Sequence, residues 1–112
     1  MARTGNPRQS YILVLGAELC PVCPEALDMC RKLGSIIGMD VVYLDVEKDD
    51  RASRLYKEAV EHGYEGVPQV YLVCNGTEYF ITNGVPETFT EFEELFFKLV
   101  RHYGIDIERC VR

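Results

Sequence analysis

The chain has 112 residues, of which 47% are hydrophobic and 27% are charged. This length and composition are typical of a single globular domain and exclude a disordered chain. The net charge of −6, from 12 basic and 18 acidic residues, argues against a nucleic-acid partner, because such a partner favours a basic surface.

No apolar stretch approaches the ~20 residues that cross a bilayer, so the sequence predicts no membrane segment. Residues 1–10 contain Gly5, Asn6 and Pro7 without an apolar stretch, which predicts a flexible leader rather than a secretion signal. A cytoplasmic location is therefore expected. The five cysteines are an odd number and cannot all pair within one chain. One reactive pair in a reducing compartment is the expectation.

The first predicted strand covers Tyr11–Gly16, a nearly continuous apolar stretch. A short loop follows, and then two cysteines three residues apart, Cys20 and Cys23, in the sequence Cys-Pro-Val-Cys-Pro. Apolar residues at helical spacing then predict a helix from Pro21 to about residues 34–38. The order strand, loop, Cys-x-x-Cys, helix is typical of a thiol–disulfide exchange site.

The spacing of the two cysteines suits this chemistry. The thiolate is the attacking species, and an ordinary cysteine has a pKa of ~8.5. Cys20 falls at the predicted helix N-terminus, where unpaired N–H groups and the helix dipole stabilise an anion. We therefore expect Cys20 to attack and Cys23, one turn further on, to resolve the mixed disulfide. Pro21 fits the first helical position, because a proline there loses no helical hydrogen bond.

A zinc half-site is the alternative use of such a pair. Zinc takes four ligands, usually from two Cys-x-x-Cys or Cys/His pairs. The sequence has no second Cys-x-x-Cys, and His62 and His102 fall on other predicted helices. We therefore favour redox chemistry and predict no metal site.

The rest of the chain alternates further strands and helices. The dipeptide Asn75-Gly76 is the strongest two-residue hairpin signal, and two threonines are alternative N-caps of the last helix. The predicted elements are strands over Val41–Val46, Val67–Cys74 and Glu78–Thr82, and helices from Asp49 or Asp50 to His62 and from Thr88 or Thr90 to Gly104.

The element order is β-α-β-α-β-β-α. Helical crossovers join the first strands and a tight turn joins the last two, which predicts an α/β fold. Its sheet would have four strands in mixed directions, with helices on both faces. The predicted domain covers 11–104, and 105–112 is a C-terminal tail.

Three further cysteines lie outside the motif. Cys30 shares a helical face with Cys23 and is expected in the core, since free cysteine is among the most buried residue types. Cys74 closes the third predicted strand and is expected at a core or edge position. Cys110 is expected to lie exposed in the tail, where oxidation could cross-link two chains, although a reducing compartment disfavours this.

The segment Gly66-Val67-Pro68 precedes the third predicted strand. With this segment, the Cys-Pro-Val-Cys-Pro motif, the hairpin turn and Gly84 before the last helix, the chain resembles the thioredoxin superfamily over residues 10–103. The resemblance implies a thioredoxin-like fold and a cis peptide bond before Pro68, which would face the cysteines. It also implies that the backbone of Val67 pairs with a bound substrate strand.

Within that superfamily, the chain is similar to glutaredoxins and to small glutaredoxin-like or thioredoxin-like disulfide oxidoreductases of microbes. The basis is the minimal set of elements and the proline after the first cysteine. The resemblance implies that Pro21, Val22, Val67 and Pro68 bind substrate, and that Cys20–Cys23 is the redox-active disulfide. It implies no bound cofactor. Electrons would come from glutathione or from a flavoprotein disulfide reductase of the thioredoxin-reductase type.

The sequence thus predicts an enzyme of electron transfer and cell redox homeostasis. It would be a thiol–disulfide oxidoreductase that reduces or exchanges disulfides in protein substrates through Cys20 and Cys23. The rival hypothesis is a metal or iron–sulfur cluster carrier, in which two chains place their Cys20 residues around one cluster and external thiols complete it.

Overall fold

The structure, a computed structural model, describes residues 9–111. Most of the predicted leader, residues 1–8, therefore lies outside the described residues. The described part forms one sheet with helices on both faces. Its elements are β1 (Tyr11–Gly16), α1 (Cys23–Ile37), β2 (Val41–Asp45), α2 (Asp50–Glu61), β3 (Gln69–Cys74), β4 (Thr77–Asn83), α3 (Phe89–Tyr103) and α4 (Ile107–Val111).

The four strands lie in the order β2-β1-β3-β4. The β1–β2 pair is parallel, whereas β1–β3 and β3–β4 are antiparallel. A parallel pair needs a crossover, which α1 provides. The β3–β4 hairpin turns through Asn75 and Gly76, whose φ values are 52° and 86°, as a tight two-residue turn requires. The predicted α/β, thioredoxin-like fold with a mixed four-stranded sheet is confirmed.

β1 is buried on both faces, because neighbouring side chains of a strand point to opposite sides. Ile12 and Val14 belong to a core cluster with residues of α1 and α3. Leu13 and Leu15 belong to a second cluster with residues of α2. Burying a side chain of this size stabilises the fold by roughly 1.5–3 kcal/mol. This two-sided burial explains why β1 is a continuous apolar stretch.

The helix boundaries refine the predictions. α1 begins at Cys23, with Val22 as its N-cap and Pro24 in its first turn, so Pro21 lies in the preceding turn and the predicted start at Pro21 was wrong. Of the two candidate N-caps of α3, Thr88 is the one used. Its hydroxyl accepts the N–H of Glu91, whose carboxylate in turn accepts the N–H of Thr88, which is a capping box.

The segment predicted as a tail forms a further short helix, α4. Ile105 and Ile107 pack against the α1/α3 core cluster, and Cys110 is itself a buried member of that cluster. The chain after α3 is therefore packed against this core cluster as far as Cys110. Within 9–111, none of the helices is both long and apolar enough to cross a membrane.

Candidate redox site

The cysteine pair lies on the loop between β1 and α1. The N–H of Cys20 donates to the carbonyl of Ala17 at 3.2 Å, which closes a turn just after β1. Cys23 is the first residue of α1. The loop therefore places Cys20 just before the helix N-terminus, two residues ahead of the N-cap Val22. At this end of a helix the unpaired N–H groups favour negative charge.

Cys20 and Cys23 form a disulfide, with their Cα atoms 5.4 Å apart. The two sulfurs differ in their access to solvent. Cys20 is half-buried, whereas Cys23 is 1% exposed. An external reagent can therefore reach Cys20 but not Cys23, which suits an attacking and a resolving thiol respectively.

The residues beside the pair are apolar and exposed. Leu19 is 94% exposed and Val22 is 41% exposed, and Pro21 between the cysteines is also exposed. Glu18 forms an ion pair with Lys48 at 3.4 Å, with both side chains largely in solvent. Sequence analysis singled out Pro21 and Val22 but missed Leu19, because an apolar residue in a short loop does not by itself indicate exposure.

The predicted proline loop meets the cysteines. The Val67–Pro68 peptide bond is cis, which is the isomer that the resemblance implied. The Sγ atom of Cys20 lies 3.8 Å from the carbonyl oxygen of Val67. Pro68 is buried, and β3 begins after it at Gln69. The predicted strand start at Val67 was therefore two residues early, since a proline does not donate to a sheet ladder.

Hydrogen bonds from three directions hold this loop. The N–H of Gly84 donates to the carbonyl of Pro68 at 2.7 Å. The Nδ2 atom of Asn83 donates to the carbonyl of Gly66 at 2.9 Å, and the Gly66 N–H donates to the hydroxyl of Tyr56 at 3.0 Å. Gly66 has a φ of 87°, a left-handed conformation that favours glycine. Sequence analysis did not find Asn83 or Tyr56, because both lie far from the loop in sequence.

The positions of Cys74 and Cys110 differ from two of the expectations. Cys74 and Cys110 form a second disulfide, with Cα atoms 5.1 Å apart. Cys110 is 3% exposed, so its predicted exposure was wrong, and the structure contains two disulfides where one reactive pair was expected. Cys30 is fully buried as predicted, and burial raises the pKa of its thiol to about 12.

Among residues 9–111, no group of three or more His, Cys, Asp or Glu side chains is placed to hold a metal ion. His62 is exposed, and its Nδ1 atom lies 2.8 Å from the carbonyl of Glu58, one turn earlier on α2. His102 is exposed near the end of α3. The histidines are thus associated with helix ends rather than with the cysteine pair.

No family model matches the chain, and no curated protein matches it. Among solved structures, it is similar to a dithiolic glutaredoxin from Trypanosoma brucei brucei, with 22% identity, a TM-score of 0.48, and coverage of 94% of this chain and 96% of the other. It is also similar to a wheat glutaredoxin, with 19% identity, a TM-score of 0.41, and coverage of 64% and 62%.

Proposed function

We propose that this protein is a thiol–disulfide oxidoreductase that reduces or exchanges disulfides in protein substrates. The observation that carries the proposal is the unequal access to a bonded cysteine pair. Cys20 is half-buried at a loop beside a helix N-terminus, while Cys23 is 1% exposed beneath it. A pair built only for stability needs no such accessible member, whereas disulfide exchange requires one sulfur that a substrate can reach.

In the reductive direction, the Cys20 thiolate attacks one sulfur of the substrate disulfide. A Cys20–substrate bond forms, the substrate S–S bond breaks, and the other substrate sulfur leaves as a thiolate. The Cys23 thiolate then attacks Cys20 Sγ and expels the second substrate thiolate. Two electrons pass to the substrate, the departing thiolates take protons from water according to their pKa, and the protein ends as the Cys20–Cys23 disulfide.

The substrate would lie across the two loops that meet at Cys20. Pro21 and Val22, together with Leu19, offer apolar contact surface on one side. Val67 and the buried ring of Pro68 form the other side. Because the Val67 carbonyl is 3.8 Å from Cys20 Sγ, a polypeptide that pairs with the Val67 backbone would bring its own sulfur to the nucleophile. Main-chain pairing of this kind accepts many sequences, which suits an enzyme acting on several protein disulfides.

An external electron donor must return the Cys20–Cys23 disulfide to the dithiol before the next turnover. Reduction of the Cys20–Cys23 disulfide needs two electrons from outside, and we propose glutathione or a flavoprotein disulfide reductase of the thioredoxin-reductase type as their source. No bound cofactor is required by the thiol chemistry. A cytoplasmic location belongs to the same proposal, since glutathione and thioredoxin systems are the thiol reductants of the cytosol.

The test is turnover of a polypeptide disulfide by the purified protein, with glutathione plus its reductase or with a thioredoxin reductase as the donor. We expect turnover with at least one donor and none after both cysteines are replaced by serine. The proposal would be overturned if the wild type showed no turnover with either donor, or if the double variant turned over as fast as the wild type. An absorption spectrum of protein purified without air tests the rival hypothesis, because a bound iron–sulfur cluster would colour the protein.

A further inference from the structure

One buried polar side chain lies directly behind the proline loop. Gln69 is the first residue of β3 and is 0% exposed. Buried amides are costly unless their donors and acceptors are paired. Sequence analysis gave Gln69 no role, and the disulfide chemistry proposed above does not use it. Its position between the loop and the core therefore needs an explanation.

All polar atoms of this side chain are paired, and two of its partners belong to the loop. Its Nε2 atom donates to the carbonyl of Tyr64 and to the carbonyl of Gly66, each at 3.2 Å. Its Oε1 atom accepts the hydroxyl of Tyr71 at 3.0 Å. Tyr71 is 5% exposed and lies in the second core cluster. The glutamine thus joins the loop to a fixed point of the core.

The same loop carbonyl is also held from the solvent side. The carbonyl of Gly66 accepts Nδ2 of Asn83 at 2.9 Å as well as Nε2 of Gln69. Gly66 is bonded to Val67, whose own carbonyl lies 3.8 Å from Cys20 Sγ. The side-chain amides of Gln69 and Asn83 therefore both hold the Gly66–Val67 peptide group. The Val67 backbone that follows it is the one proposed to pair with substrate. A movement of this peptide would move the Val67 carbonyl relative to Cys20.

We infer that Gln69 is a positioning residue, which sets the orientation of the Val67 backbone for an extended polypeptide substrate. Only an amide side chain offers two donors and an acceptor from one planar group, so it can hold two loop carbonyls and take the Tyr71 hydroxyl together. The inference rests on the proposed function. Its consequence is that Gln69 affects binding of polypeptide disulfides, while the intrinsic reactivity of Cys20 does not depend on it.

The test is Gln69→Met, which keeps the unbranched shape and removes both donors. We expect KM for a peptide disulfide to rise about tenfold with kcat nearly unchanged. Alkylation of reduced Cys20 by iodoacetamide should stay within about twofold of wild type, since this small reagent needs no docking strand. Asn83→Ala, at a half-buried position, is a second variant. It removes the other amide that binds the Gly66 carbonyl and should also raise KM.

The matched control is Ser10→Ala, at the opposite end of β3. Ser10 is 8% exposed, and its hydroxyl accepts the N–H of Asn75 at 2.9 Å and donates to Asn75 Oδ1 at 3.5 Å, so the variant loses two part-buried hydrogen bonds away from the site. We expect it to lower the thermal midpoint and leave KM unchanged. If Gln69→Met and Asn83→Ala both keep the wild-type KM, the role of Gln69 is structural only and the inference is overturned. Absence of turnover in wild-type protein would instead overturn the proposed function.

Discussion

The sulfur of Cys20 lies 3.8 Å from the backbone carbonyl oxygen of Val67, although 47 residues separate them in sequence. The sheet explains this contact. β1 and β3 are antiparallel, with Leu15 opposite Gln69, so the last residues of β1 and the first residues of β3 lie at the same end of the sheet. The loop that leaves β1 carries Cys20, and the loop that enters β3 carries Val67. A nucleophile and a potential docking backbone are thus brought together.

Serine variants should separate the roles of the two thiols. Cys20→Ser should abolish turnover of a polypeptide disulfide, because no other accessible thiol lies at this helix end. Cys23→Ser should still attack but accumulate a mixed disulfide, since the resolving thiolate is missing. Mass spectrometry of the trapped adduct checks both. Normal turnover by Cys23→Ser with a substrate that requires two cysteines would falsify the two-thiol mechanism.

The rate at which Cys20, Cys23 and Cys30 are alkylated should decrease as the burial of the thiol increases. After the Cys20–Cys23 disulfide is reduced, iodoacetamide at pH 7 should modify Cys20 first and the buried Cys23 more slowly. Cys30 should react only on unfolding, because it is fully buried and its pKa is raised to about 12, which leaves roughly one thiolate in 10⁵ at pH 7. Peptide mapping over time measures the order. Equal rates at Cys20 and Cys23 would contradict the assignment of roles.

The second disulfide should contribute to stability and not to turnover. Cys74 and Cys110 are 36 residues apart in sequence, and removal of a bridge that closes a loop of this length costs about 2–4 kcal/mol of unfolding free energy. Cys110→Ser should therefore lower the denaturant midpoint, while activity per folded molecule stays near wild type. Cys74 ends β3, at the opposite end from Gln69 beside the site.

The control for that prediction is the double variant Cys74→Ser/Cys110→Ser. Because one bond is lost in either single variant, the double variant should lose little more stability than Cys110→Ser alone. A denaturant midpoint equal to that of wild type in both variants would show that the bond does not stabilise the folded chain.

Stability should fall at alkaline pH. Burial raises the pKa of Cys30 from 9.0 to about 12 and is the main reason that the pKa of Tyr71 rises from 10.0 to about 12. Both groups stay neutral in the folded protein while the unfolded chain ionises, so their contribution is complete below about pH 9 and is lost as pH rises towards 12. We expect the oxidised protein to lose roughly 2–4 kcal/mol between pH 8 and pH 11.

Urea unfolding at a series of pH values measures this loss. Cys30→Ala removes one of the two groups and should make the dependence on pH shallower, whatever its effect on stability at pH 8. If the unfolding free energy of Cys30→Ala fell with pH as steeply as that of the wild type between pH 9 and pH 11, Cys30 would ionise alike in the folded and unfolded chains.

The exposed leucine beside the nucleophile should matter for docking alone. Leu19 is 94% exposed, so Leu19→Ser should change the unfolding free energy by less than about 0.5 kcal/mol. Loss of its apolar contact should raise KM for polypeptide disulfides about three- to tenfold. Ile36→Ser is the matched control, since Ile36 is 57% exposed near the end of α1 and should leave KM unaltered. Equal KM values for all three proteins would exclude Leu19 from the docking surface.

The sequence by itself determined the first seven elements and the identity of the reactive pair, because these depend on local signals. The apolar stretch over β1 predicted its burial, Asn75-Gly76 predicted the hairpin, and Thr88 was one of two predicted N-caps of α3. The spacing of Cys20 and Cys23 indicated redox chemistry. Each signal involves residues within a few positions of one another, where backbone geometry alone fixes their relationship. The errors at element boundaries, such as the start of α1, were one or two residues in extent, whereas the short helix α4 was missed because a tail was predicted there.

Only the tertiary structure decided which distant residues meet. The partner of Cys74 could not be deduced, because disulfide connectivity depends on how α4 packs on the sheet and not on spacing. The role of Asn83 was hidden for the same reason, since the pairing of β3 with β4 brings it to the Gly66 carbonyl. A buried glutamine at the start of a strand has no pattern that marks it. Its partners Tyr64, Gly66 and Tyr71 are near in sequence, but its complete burial is a property of the whole core.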